Sequence, residues 1–171
     1  MQVQTFYTVR FNDCDPFSHL NNSKYIDYML NAREDHLSQF HQIELGNFHK
    51  MGFGWVVTNH EIQYLRPAAY NEKICIQSDL IETGDSHLMV EMRMYDETAN
   101  TLKAILWTKF TCVNMKTGKK EIHPADFMTL ANDLLIPNIN VNNGLKGRMS
   151  ELFRKTQPAW IIESEQIEDR L

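Results

Sequence analysis

The amino-acid sequence predicts an α+β fold in which one long helix is followed by an antiparallel sheet. Apolar residues recur at helical spacing between Asn22 and Phe40, whereas between Ile62 and Met94 they fall two residues apart, as in strands. The segments between the predicted strands are short and polar, and none is long enough for the helix that a parallel crossover needs. One helix and a sheet of antiparallel strands together indicate the class α+β.

The first elements are a short strand, a polar turn and the long helix. An extended segment runs from Tyr7 to Phe11, and the residues from Asn12 to Pro16 favour a turn. Asn21, Asn22 and Ser23 are good N-cap residues, so a helix of four to five turns is expected after them. Its apolar arc is wide, which is typical of a buried helix. The apolar positions are Tyr25, Ile26, Tyr28, Met29, Leu30, Ala32, Leu37 and Phe40.

The strands that follow are predicted to form a meander, because the turns that join them are short. The turns lie at residues 82–86, 96–100 and 116–119, and the only longer connection lies at residues 66–72. We therefore expect one domain over residues 1–124 and, over residues 125–171, a C-terminal extension that packs on the body or on a partner subunit. Within the extension, Asp126–Leu134 and Met149–Lys155 have helical patterns.

Composition excludes several classes of protein. The 171 residues are 43% hydrophobic and 23% charged, as in an ordinary globular domain. Seventeen Lys and Arg against 22 Asp and Glu give a net charge of -5, so neither a nucleic-acid nor a membrane partner is expected. The N-terminus does not resemble a signal peptide and no apolar run of membrane-spanning length occurs, which favours a cytoplasmic location. Cys75 and Cys112 are expected in the core.

Candidate chemistry is concentrated in the loop before the helix. Asp13, Asp15 and His19 lie within seven residues of one another, directly before the predicted helix start. There a carboxylate meets the positive end of the helix dipole, and unpaired backbone N–H groups can hold a developing oxyanion. There are two alternatives to a catalytic role for these three residues: they form only the hydrogen bonds of a turn, or they bind a metal ion. No further ligand at a recognised spacing completes a metal shell, so no cofactor is expected.

The run from Arg10 to Tyr25, RFNDCDPFSHLNNSKY, resembles the signature of the 4-hydroxybenzoyl-CoA thioesterase-like branch of the HotDog superfamily. Members carry an aromatic residue, Asp-x-Asp, a short loop and His-Val-Asn-Asn-x-x-Tyr. A second match comprises Trp55–Val57, Tyr64–Pro67 and Ile74-x-Ile76. The resemblance implies a HotDog fold, with a five-stranded antiparallel sheet wrapped around one long central helix. It also implies hydrolysis of acyl-CoA, and subunits paired through their sheets as a dimer or a dimer of dimers.

The resemblance also assigns roles to residues. Asp15 matches the catalytic carboxylate, a base or nucleophile; the backbone N–H of Asn22 matches the oxyanion donor, and His19 shapes the loop. The residues expected to bind substrate are Asp13, Asn21, Tyr25, Tyr64, Arg66 and Ser86. Asp13 is also the structural companion of the catalytic acid.

One segment departs from the family pattern. Asp85 stands beside Ser86 where some relatives place basic residues near the CoA phosphates. Lys116, Lys119 and Lys120 on the next turn offer positive charge instead. Two alternatives therefore stay open: a thioesterase that acts on acyl carrier protein, and a non-catalytic HotDog protein that binds an acyl thioester.

Overall fold

The computed structural model describes residues 2–156, with side chains to residue 153. The chain divides into a first unit that ends at Pro137 and a second that begins at Asn138. The elements of the first unit are β1 (Gln4–Thr8), α1 (Asn22–His41), α2 (Leu45–Lys50), β2 (Phe53–Tyr64), β3 (Lys73–Thr83), β4 (His87–Asp96), β5 (Leu102–Asn114) and α3 (Ala125–Leu134). The second unit contains a 3-10 turn (Val141–Asn143) and α4 (Gly144–Thr156).

The five strands form one antiparallel sheet in the order β1-β3-β4-β5-β2. The expected meander is right for β3, β4 and β5 but wrong for β2, which lies at the far edge beside β5. The place beside β3 is taken by β1, where Thr5 faces Ile76. The connection after Tyr64 therefore carries the chain from one edge of the sheet towards the other.

Helix α1 begins where the N-cap residues predict. The Asn21 side chain accepts a hydrogen bond from the Ser23 N–H at 3.0 Å, which satisfies one of the free donors of the first turn. The residues that α1 buries are Tyr25, Met29, Ala32, Arg33 and His36, so one face of the helix is turned inward. The helix is thus buried on one side, and Phe40, at its last turn, is 44% exposed.

The core lies between α1 and the inner face of the sheet. Val90, Met92 and Met94 alternate along β4 and are almost completely buried, as expected for one face of a strand. Burying each such side chain contributes about 1.5–3 kcal/mol. The predicted α+β HotDog architecture, a five-stranded sheet wrapped around a long helix, is thus confirmed. Cys75 and Cys112 are fully buried, also as predicted.

The segment after residue 124 belongs partly to the first unit. Helix α3 coincides with the predicted helix and buries Phe127 and Ala131 in the core. After it, the Ile136 N–H donates to the Leu80 carbonyl at 2.8 Å, which fastens the chain to β3. The first unit therefore continues past the predicted boundary at residue 124, because α3 completes its core.

Two further helices differ from the sequence analysis. Helix α2 was not predicted, and α4 is longer than the predicted helix at Met149–Lys155. The last part of the predicted extension, residues 157–171, lies outside the described residues. Within the part that the structure describes, no helix is both long and apolar enough to cross a membrane.

Candidate active site

Asp15 lies in a tight turn that its own carboxylate holds together. The Ser18 N–H donates to the Asp15 carbonyl at 3.0 Å, and Ser18 has a left-handed φ of 61°. Asp15 Oδ1 accepts from the N–H groups of Phe17 at 2.9 Å and His19 at 3.1 Å. The turn hydrogen bonds considered for Asp15 are therefore present. Within the described residues no donor binds the second oxygen, Oδ2, so this atom is available for chemistry.

Backbone hydrogen bonds clamp this loop from two sides. Within the loop, the Asp15 N–H donates to the His19 carbonyl at 2.7 Å, which closes the turn. On the outer side, the Leu20 N–H donates to the Ala68 carbonyl at 2.8 Å, and the Tyr70 N–H donates to the Ser18 carbonyl at 2.8 Å. The position of Asp15 thus depends on the connection between β2 and β3.

Lys103 holds that connection, a role that the sequence analysis missed. Its Nζ donates to the Pro67 carbonyl at 2.8 Å and pairs with Glu72 Oε1 at 2.8 Å. The other Glu72 oxygen accepts from the Ala69 N–H at 2.8 Å. Lys103 is the sole basic residue in the apolar segment from Leu102 to Trp107, and this was the one signal in the sequence that could have indicated its role.

The first turn of α1 forms the opposite side of the site. The Tyr64 hydroxyl donates to the Asn22 carbonyl at 3.0 Å, and the Tyr25 hydroxyl accepts from the Ala68 N–H at 3.1 Å. The two tyrosine rings meet edge to face at 5.1 Å. Burial raises the pKa of both tyrosines, so both hydroxyls stay neutral near pH 7. Within residues 2–156 the Asn22 N–H meets no acceptor, as is usual at a helix start.

Asp13 faces away from this site. Its Oδ2 accepts a hydrogen bond from the Tyr28 hydroxyl at 2.7 Å. Burial, assisted by this carboxylate, raises the pKa of Tyr28 to about 12. The Asp13 carbonyl accepts from the Asn21 N–H at 2.8 Å, which links the two ends of the loop. Asp13 and Asn21 therefore support the loop and the helix start from outside the site.

The residues on both sides enclose a cleft of about 280 Å³. It is lined by Asp15, His19, Leu20, Asn22, Tyr25, Tyr64, Leu65, Arg66 and Pro67. The structure thus brings together six of the nine predicted site residues and leaves Asp13, Asn21 and Ser86 outside the cleft. Among the described residues no three His, Cys, Asp or Glu side chains form a group that could hold a metal ion, so the geometry does not support the metal alternative.

Ser86 lies at the other end of the sheet. Its carbonyl accepts from the Cys112 N–H at 2.8 Å, and Cys112 is paired with Trp55 near the start of β2. Tyr64, at the cleft, is the last residue of β2. At about 3.3 Å per residue, Ser86 is thus about 30 Å from the cleft of the same chain.

Comparison with known proteins identifies the family of this chain. Residues 9–131 match the family model of the thioesterase-like superfamily. The chain is 30% identical over 118 residues to the long-chain acyl-CoA thioesterase FadM of Escherichia coli, an alignment that covers 68% of this chain and 87% of that protein.

Solved structures share the fold. A 1,4-dihydroxy-2-naphthoyl-CoA thioesterase from Synechocystis aligns with a TM-score of 0.69 and 18% identity, covering 78% of this chain and 98% of that one. YbaW, a probable thioesterase from Escherichia coli, aligns with a TM-score of 0.68 and 23% identity over 78% of this chain and 99% of that one. The Staphylococcus aureus protein SAV2348, solved in complex with CoA, aligns with a TM-score of 0.71 and 14% identity, covering 82% of this chain and 89% of that one. With the family model matching 72% of its length, 123 of 171 residues, the chain belongs to the thioesterase-like superfamily.

Proposed function

We propose that this protein hydrolyses acyl-CoA thioesters to a free carboxylic acid and CoA, with Asp15 as the catalytic base or nucleophile. The observation that carries the proposal is the cleft in which the Asp15 carboxylate and the unpaired N–H of Asn22 occur together. The sequence relative FadM, a long-chain acyl-CoA thioesterase, supports the substrate class.

Each group has a task in this reaction. Asp15 Oδ2 either takes a proton from a water whose oxygen attacks the thioester carbonyl, or attacks that carbonyl itself to form a mixed anhydride that water then hydrolyses. On both routes the C–S bond breaks and the thiolate of CoA leaves, while Oδ1 stays fixed by the turn. The N–H of Asn22 stabilises the negative carbonyl oxygen at the positive end of α1. The backbone N–H of His19 donates to Oδ1 and thereby helps to fix the orientation of the carboxylate. Because a thiolate leaves readily, no strong acid is needed.

The rim of the cleft provides contacts for the rest of the substrate. Arg66 is exposed there and is a suitable partner for a CoA phosphate. Tyr25 and Tyr64 supply aromatic walls near the reacting carbonyl.

A homodimer paired through β2 would complete the site. Strand β2 is an edge of the sheet, and its Val56 and Val57 are 45% and 41% exposed, which is unusual for an unprotected edge. A two-fold axis pairs two such edges antiparallel. The start of each β2 then approaches the other subunit's cleft, where the nearby exposed Lys116 could contact its CoA. Ser86 lies beside the same strand start but is only 5% exposed. We also propose that two such dimers can associate into a tetramer and that the protein is cytoplasmic.

The test of the activity is a thiol-release assay over short-chain, long-chain and aromatic acyl-CoAs. We expect turnover with at least one class, and a loss of that turnover in Asp15→Ala. Asp27→Ala is the matched control, since Asp27 is an exposed carboxylate of α1 that pairs with Lys24. Binding of acyl-CoA without turnover by the wild-type protein would contradict the proposal.

The test of the dimer is the molar mass in solution. We expect a dimer or tetramer by light scattering, and a shift towards monomer in Val57→Asp, which places a charge on the unpaired edge. Ile122→Asp, at an exposed apolar residue outside the strands, is the control and should keep the wild-type mass. A monomeric wild-type protein with full activity would refute the shared site.

A further inference from the structure

Tyr64 connects the sheet to the residue whose N–H is proposed to hold the oxyanion. Its hydroxyl donates to the Asn22 carbonyl at 3.0 Å, and Asn22 is the first residue of α1. Asn22 thus carries both the proposed oxyanion donor and the carbonyl that Tyr64 binds. Only the two backbone dihedrals of Asn22 separate these groups, so a contact that fixes the carbonyl also restricts the N–H.

The backbone of Tyr64 is held firmly. Tyr64 is the last residue of β2 and pairs with Ala104 of β5. The next two N–H groups, those of Leu65 and Arg66, both donate to the Lys103 carbonyl, at 2.8 and 3.0 Å. The side chain therefore projects from a fixed point of the sheet, although it is 41% exposed.

The ring of Tyr64 is oriented as well. It meets the ring of Tyr25 edge to face, with the centroids 5.1 Å apart, and Tyr25 is almost completely buried. The Tyr25 hydroxyl in turn accepts from the Ala68 N–H at 3.1 Å. These contacts hold the Tyr64 hydroxyl against the first turn of α1.

The hydrogen bond from Tyr64 is not needed to satisfy a buried polar group. A carbonyl in the first turn of an α-helix already accepts from the N–H four residues later, and the hydroxyl of a half-exposed tyrosine can bond to water. The bond therefore contributes geometry, because it fixes the sheet side of the first turn. The loop side is fixed by the Asn21 N–H, which donates to the Asp13 carbonyl at 2.8 Å.

We propose that the Tyr64 hydroxyl makes this tyrosine a positioning residue for the oxyanion donor, acting through Asn22 on the transition state. This inference rests on the proposed function. The negative oxygen forms only when the thioester carbonyl is attacked, so a displaced donor weakens binding of the transition state more than binding of the substrate. Tyr64→Phe keeps the aromatic wall of the cleft and loses the hydroxyl. We expect it to lower kcat about 10–100-fold with little change in KM.

The test compares Tyr64→Phe with the wild type in thiol release and in calorimetric titration with two CoA analogues. A dodecyl-CoA thioether has no carbonyl, whereas a difluoroketone analogue of dodecanoyl-CoA adds water to give a tetrahedral carbon like that of the transition state. We expect the affinity for the difluoroketone to fall by about the same factor as kcat, and the affinity for the thioether to stay unchanged. Tyr70→Phe, at an exposed tyrosine outside the cleft, is the control and should match the wild type in all three measurements.

Wild-type kcat in a folded Tyr64→Phe protein would overturn the inference. So would an equal fall in affinity for both analogues, because a loosened fold or a lost substrate contact weakens both alike. Failure of the proposed function has a different signature: Asp15→Asn keeps its turnover, or the wild type hydrolyses no acyl-CoA. The analogues then still decide the role of Tyr64, since their binding requires no turnover. A wild type that binds the difluoroketone no more tightly than the thioether would overturn that role.

Discussion

Replacing Lys103 by Met should loosen the connection that positions the loop containing Asp15. The Lys103 side chain is 9% exposed and that of Glu72 is 26% exposed, so their ion pair is largely removed from water. Breaking such a pair costs about 3–5 kcal/mol when both charges are fully buried, and the partial exposure of Glu72 reduces this figure. The Pro67 carbonyl loses its donor as well, at about 1 kcal/mol. We therefore expect a loss of about 3 kcal/mol in the free energy of unfolding.

The assay is urea and thermal denaturation beside thiol release. For a chain of this size the loss corresponds to a fall in Tm of about 6–12 °C. Lys73→Met is the matched control: its ion pair with Glu97 at 2.7 Å is exposed on both sides, and its removal should cost about 1 kcal/mol or less. If Lys103→Met were no more destabilising than Lys73→Met, the reasoning about this connection would be refuted.

Two further predictions concern buried polar groups next to β1 and the loop. His36 bonds to Thr5 at 2.6 Å and Ser78 at 2.7 Å, and burial, with a smaller contribution from Arg33, lowers its pKa to about 4. Because the unfolded chain then binds a proton that the folded chain refuses, stability should fall by about 2 kcal/mol from pH 7 to pH 5 in urea titrations, and less steeply in His36→Gln. Tyr28→Phe should lower the free energy of unfolding by about 1–3 kcal/mol, because it removes the hydrogen bond to the Asp13 carboxylate. Tyr70→Phe is the exposed control and should leave that free energy almost unchanged. Equal stability of the two variants would contradict the supporting role of Asp13.

The sequence predicted local structure well because local patterns determine it. The N-cap at Asn21, the turn around Asp15 and α3 depend on neighbours within a few residues. The family resemblance predicted that Tyr64 and Arg66 share a site with Asp15, and all three line the same cleft.

Long-range pairing could not be predicted from the same patterns. A period of two residues identifies a strand but not its neighbour, which is why β2 was placed beside β3. Lys103, Arg33 and His36 were not identified as buried, because their partners come from segments far away in the chain. Ser86 illustrates the same limit, because within one chain it lies at the other end of the sheet from the cleft.

The most direct test of the central claim is kcat of the Asp15→Asn protein in thiol release, with the substrate that the wild-type enzyme turns over best. Asn keeps one side-chain oxygen to accept from Phe17 and His19, so the turn should persist and Tm should change little. The variant loses the charged oxygen that we propose as base or nucleophile, and kcat should fall by about 10²–10⁴-fold. A folded Asp15→Asn protein with kcat within a few-fold of wild type would contradict the assignment of Asp15.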